Sequence, residues 1–122
     1  MAVWLPADAP YGEPDVFTAA GLIHFAGGRD EEAAHWLRNA ILATSAEDLR
    51  QPAFAGIRLY LASAEAHLGH VEAAAQALRD FLTNVPEVHG IAEFRRWNDP
   101  IRFFLVAPER LAEGLRLAGM TE

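Results

Sequence analysis

Apolar residues recur at three- and four-residue steps along most of the chain, the spacing that gathers them on one side of an α-helix. Phe17, Ala20, Gly21 and His24-Phe25 mark a first helix. It opens near Pro14-Asp15, a proline and an acid, both favourable in a first turn. Gly27-Gly28 closes it, because glycine takes left-handed geometry at no steric cost. Asp30 is expected to cap a second helix to about Thr44, with Ala33, Trp36-Leu37 and Ala40-Ile41 inward. A break at Thr44 to Asp48 and the link Leu49 to Pro52 lead to a third helix, about Ala53 to Leu68. This one carries Phe54, Ile57, Leu61, Ala64-Glu65 and Leu68, and stops at Gly69. A fourth runs from about Val71 to Asn84, and Pro86 prevents its continuation. The stretch Gly28-Arg29-Asp30-Glu31-Glu32-Ala33-Ala34 returns as Gly69-His70-Val71-Glu72-Ala73-Ala74, the two glycines 41 residues apart. Self-similarity at such a period reads as stacked helical hairpins.

The last third leaves the period. Val88 to Trp97 reads as helical, Asn98-Asp99-Pro100 restarts a short segment through Val106, and Pro108 opens a final helix. That helix carries Leu111, Leu115, Leu117 and Ala118 and closes at Gly119; the run Phe103-Phe104-Leu105-Val106 is expected beneath it. At the other end, Pro6, Pro10 and Pro14 impose an extended lead-in over 1–14, whose Trp4, Leu5 and Tyr11 are expected to cover an exposed end of the first hairpin. The expected organisation is therefore an all-α domain over 15–122, with units at 15–45 and 53–86 and closing helices over 87–119.

These units resemble the tetratricopeptide repeat, a helix A and a helix B that stack into a superhelix. The resemblance rests on Phe17, Ala20, Gly21, His24, Gly28, Glu32-Ala33, Leu37 and Ala40-Ile41 in the first unit. In the second it rests on Leu61, Ala62, Gly69, Ala74, Leu78, Phe81-Leu82 and Pro86. The family's unit is about 34 residues, so the longer spacing implies an insertion around Ser45 to Pro52. Its helix A aromatic is His24 in one unit and Glu65 in the other, and Phe81 replaces its small residue late in helix B. The segment from Glu109 to Met120 looks like the closing helix after such repeats in some bacterial signalling proteins, certain class III adenylate cyclases among them.

What the resemblance implies is a concave groove lined by the A helices. Its lining would be Asp15, Thr18, Leu22, Phe25 and Ala26, then Gly56, Leu59, Ser63, Ala66 and His67. The lysines and asparagines with which the family clamps a peptide carboxylate are absent from these positions, and Leu22, Phe25 and Leu59 suit the apolar side of a partner helix. Two outcomes stay open: a protein partner docks there, or the chain's own C-terminal helices fill the groove. Self-association of a short array into a homodimer is a third.

Composition narrows the partners. There are 17 acidic residues against 10 basic ones, net charge −7, which argues against nucleic acid and anionic membrane, since phosphate binding needs concentrated Lys and Arg. Arg95-Arg96 with Arg102 is the densest basic stretch and reads as a solvated face. There is no cysteine, no apolar stretch near the ~20 residues a membrane helix needs, and the opening residues do not read as a signal peptide. The expected compartment is the cytoplasm.

Catalytic chemistry is not expected. His67 and His70 are three apart but separated by Gly69, so they are expected as solvated turn residues rather than metal ligands, and no cofactor is anticipated. His24 is expected to pack within the hairpin, its ring satisfied locally. A metal site needs three or four converging ligands, and the five histidines, His35 and His89 among them, are not expected to supply one. Ser45 and Ser63 have no evident base, Gly27-Gly28 lacks the setting of a phosphate loop, and the acidic pairs at helix starts answer to the dipole. The sequence thus predicts a non-enzymatic protein–protein interaction module, an adaptor or scaffold; the other reading is a self-associating structural or regulatory module of a bacterial signalling system with a self-filled groove.

Overall fold

A computed structural model describes residues 12–50, 52–88, 90–98 and 107–122 of the 122-residue chain. The protein is all-α. Helix α1 spans Gly12–Ala26, α2 Asp30–Ala43, α3 Pro52–His67, α4 Val71–Asn84, α5 Ile91–Asn98 and α6 Pro108–Leu117, with a 3₁₀ turn at Asp48–Arg50. Among the described residues no helix is long and apolar enough to cross a membrane. Residues 12–14, expected in the extended lead-in, instead open α1; the expectations for residues 1–11, for Phe103 to Val106, for the side chains of Arg95, Arg96 and Arg102, and for His89 lie outside the described residues.

The 41-residue period is written into the backbone. Gly28 and Gly69 both take positive φ, 77° and 81°. Arg29 and His70, the residues that follow, share nearly one conformation, φ −90°, ψ 75° and φ −84°, ψ 74°. Each turn is closed by the same bonds: Arg29 N donates to His24 O and His70 N to Glu65 O, both at 2.9 Å. The side chains repeat the tie, with Arg29 Nε donating to His24 Nδ1 at 2.8 Å and His70 Nδ1 lying 2.9 Å from Glu65 Oε2. His24 is thus satisfied locally, as expected. Helices α2 and α4 begin and end at matching places, Asp30–Ala43 and Val71–Asn84.

Small residues set how closely the rods approach. Gly21 of α1 sits on Leu37 of α2, whose side-chain carbons lie 2.7 Å from where a Cβ would stand, so only glycine fits. The matching position in α3 is Ala62, fully buried like Leu37. Trp36 is half-buried and stacks on Phe17 at 5.6 Å, while Leu78 is buried. Phe81, where the first hairpin has the fully buried Ala40, meets Phe94 of α5 edge-on at 6.1 Å. A bulky group late in α4 is therefore the surface on which α5 packs. Val85, Val88 and Ile91 bury the approach to α5.

Helix α3 is the centre, touching α1, α2, α4 and α6. Helix α6 presents Leu111, Ala112, Gly114 and Leu115 inward, whereas Leu117, expected to be apolar packing, is 58% exposed. Gly119, at φ 104°, ends the helix and turns Met120 into the core. The tail then runs beside α5: Ile91 N donates to Thr121 O and Ala92 N to Glu122 O, both at 2.9 Å. These bonds satisfy N–H groups that the first turn of a helix otherwise leaves open.

Glu65, buried to 3% exposure in α3, is a charge among apolar neighbours. It accepts from Arg38 Nη1 of α2 at 2.5 Å and faces His70. Both partners keep more than half their side-chain surface in water, so the carboxylate is the group that has lost its solvent. Removing Arg38 therefore strands it, whereas replacing the whole pair with apolar groups need not cost stability. Arg38→Ala is expected to lower unfolding free energy by about 1–2 kcal/mol. Adding Glu65→Leu to that variant is expected to recover most of the loss in urea titrations.

Candidate functional site: the junction of α1 and α3 with the C-terminal helix

The anticipated groove lies where α1 and α3 meet; α6 packs on α3 there and reaches α1 through Arg110 at Phe25. Phe25 and Leu59 are fully buried, as is Ser63. Leu22 and His67 are partly buried, Leu22 packed against the core. Thr18 is half-buried on α1, and Asp15 lies in that helix's first turn, its side chain outside the described part. Ala26 is exposed beyond the end of the seam, and Ala66 is half-buried. Gly56 stands apart with open space above its Cα. The structure thus brings Phe25, Ser63 and His67 together against Arg110 of α6, while Leu59 is buried in the core.

One residue of α6 organises the junction. Arg110 donates to both oxygens of Asp30 at 2.6 Å, a two-pronged ion pair that joins the start of α2 to α6 across 80 residues. Its guanidinium lies 4.9 Å from the centre of the Phe25 ring, the geometry of a cation–π contact. Its carbonyl oxygen is held from the other side: Ser63 Oγ donates to it at 3.2 Å, and His67 Nε2 lies 3.0 Å away. A carbonyl can only accept, so the His67 tautomer that fits carries its proton on Nε2. Asp30 was expected to cap α2. Instead α2 has no side-chain cap, Arg29 occupies the cap position, and the Asp30 carboxylate is committed to Arg110. His67, expected among solvated turn residues, is likewise committed to α6, and Gly69 does keep it off the face of His70.

The electrostatics follow from burial. Asp30 keeps 10% of its side-chain surface exposed and Arg110 26%. The hydrogen bonds it donates to Asp30 hold the Arg110 guanidinium above its ordinary value; burial opposes this, and the charges of Asp30 and Glu113 reinforce it. Shape completes the fit, since a Cβ on Gly114 would stand 2.7 Å from Ser63 Cα. Two terms therefore act on α6. Burying Leu111, Leu115 and Met120 contributes about 1.5–3 kcal/mol apiece, more than about 1.5–3 kcal/mol for a charged hydrogen-bonded pair. The apolar face holds the helix; Arg110 and Gly114 fix its register.

Among the described residues no three His, Cys, Asp or Glu side chains are grouped to hold a metal ion, and no buried side-chain polar atom lacks a partner. No protein-family model, curated protein or solved structure matches this chain.

Proposed function

We propose that the chain is a non-enzymatic protein–protein interaction module of tetratricopeptide-like hairpins whose docking groove is held by its own C-terminal helix. The observation that carries this reading is the convergence of Phe25, Ser63 and His67 on Arg110 of α6. These are the positions the repeat resemblance assigns to ligand, and the chain supplies an amphipathic helix in the ligand's place. A partner using this groove carries the chemistry of α6: an arginine, a leucine next to it, and a small residue four positions on, as in Arg110, Leu111 and Gly114. Regulation then consists of competition between that partner and α6.

A labelled peptide covering Ala107 to Glu122 tests the reading by fluorescence anisotropy. The wild-type chain, its groove filled, is expected to ignore the peptide. A full-length Gly114→Ala chain, whose own helix no longer seats, is expected to bind it, and Asp30→Ala in that background to weaken binding about tenfold, the value of one charged hydrogen-bonded contact. Arg110→Ala, which loosens α6 without setting a methyl against Ser63, is the second variant should Gly114→Ala fail to fold. If no folded variant takes the peptide, α6 is an integral core helix and the groove reading falls.

A further inference from the structure

The backbone is strained where it enters α6. Ala107 takes φ 46°, ψ 59°, and it is the one non-glycine residue with positive φ among the described residues. Left-handed backbone presses the Cβ of an L-residue toward the following carbonyl, a conflict that glycine escapes and alanine does not. Pro108 adds to it, because a residue before proline favours extended backbone. No side chain caps α6 here to offset the cost. Such a conformation persists only where its surroundings hold it. The holding contacts are those of α6: Arg110 on Asp30 and Phe25, Leu111 and Leu115 in the core, and Gly114 against Ser63.

We propose that a second copy of this chain is a partner for the α3 face, two copies exchanging α6 and its tail reciprocally. Each helix leaves its own α3 and seats on the other's. Two features select a second copy as the occupant. The incoming helix is the same helix, so every seating contact is reproduced between copies. Its Arg110 meets the other copy's Asp30, and its Thr121 and Glu122 carbonyls meet the other copy's Ile91 and Ala92 amides. The exchange also releases what the closed chain must hold: Ala107 turns to the extended backbone that Pro108 favours, once in each copy. Pro108, in the first turn of α6, keeps the helix start preformed while this joint opens. Exchange of an identical element is a low-cost route to dimers, and strained hinges invite it.

The test refolds the urea-unfolded full chain at high and at low concentration and sizes the products by light scattering. Twice the chain mass is expected at high concentration and the single mass at low. Ala107→Gly removes the left-handed conflict at some loss of backbone entropy, a net gain of about threefold per closed chain. The dimer dissociation constant is therefore expected to rise about tenfold, one factor for each joint. Charge reversal separates exchange from any other dimer. Asp30→Arg and Arg110→Glu each set like charges at the α6 junction. Refolded together, the two variants are expected to form a mixed dimer in which both junctions again join opposite charges; refolded alone, each is expected to give far less dimer. Monomer at every concentration, a dissociation constant indifferent to Ala107→Gly, or no preference for the mixed pair would each overturn the exchange. Exchange requires only that α6 seat on α3. A chain that swaps while its opened groove refuses the labelled peptide overturns the docking reading alone, and a chain that takes the peptide yet stays monomeric overturns this one alone.

Discussion

Gly114→Ala is expected to lower the calorimetric melting temperature by about 8 °C, while the same change at Gly56 is expected to raise it by a few degrees. Both residues are inside helices, where alanine is worth about 1 kcal/mol over glycine. At Gly56 nothing lies within 4 Å of the added methyl, so the propensity gain stands alone. At Gly114 the methyl would stand 1.8 Å from Ser63 Oγ and 2.7 Å from Ser63 Cα. A rotating hydroxyl clears the first conflict. The second is backbone, and Ser63 is fully buried, so α6 must lift from α3. Overpacking of this kind costs about 1–3 kcal/mol; with the lost seating of Leu111 and Leu115 it exceeds the propensity gain by about 2 kcal/mol, and each kcal/mol moves a domain of this size by about 4 °C. Equal stability of the two alanine variants would mean that α6 does not rest on Ser63.

Arg110→Ala is expected to cost about 2 kcal/mol in urea unfolding, and Asp30→Ala about half that. Breaking a fully buried pair costs about 3–5 kcal/mol; this one lies at the protein's edge, so the figure is reduced. The asymmetry comes from what stays behind. Without Arg110, a carboxylate with 10% of its surface exposed loses both of its short bonds. Without Asp30, the guanidinium keeps the Phe25 ring and a 3.4 Å bond to the Phe25 carbonyl, and it reaches water. Lysine at 110 is not expected to rescue, because a point charge cannot make two parallel bonds. The pH sign is fixed by the raised value of Arg110: the stabilisation is complete below the unfolded arginine's value and fades only as pH climbs through the higher folded one. Titration of Arg110 therefore leaves stability unchanged from acid to mildly alkaline solution. A double-mutant cycle with no coupling between Asp30 and Arg110 would remove this pair from the account.

What was legible in the sequence was local. Gly28 and Gly69 announce left-handed turns through their own lack of a side chain, and the helices they separate carry apolar residues at a spacing that allows no other structure. The limits of α4 at Val71 and Asn84 follow from that punctuation and from Pro86. The filled groove was not legible to the same degree. Phe25 and Leu59 look like ligand contacts by position, and they are core residues; a charge placed at either would test folding rather than docking. No short-range signal joins Asp30 to Arg110, because an acid at the start of a helix is already explained by the helix dipole. Ser63 and His67 are equally mute until α6 is laid across them. Glu65 marks the boundary between the two kinds of information: its departure from the repeat pattern is visible in sequence, but its partner Arg38 comes from the neighbouring hairpin.

The two amide bonds from α5 to the carbonyls of Thr121 and Glu122 give the C-terminal helix a mechanical character of its own. It is no free-swinging flap, because its departure peels away the strip of backbone that finishes the opening turn of α5. Under the proposed competition for the groove, a partner would have to part both seams together, and coupling them favours concerted over stepwise opening.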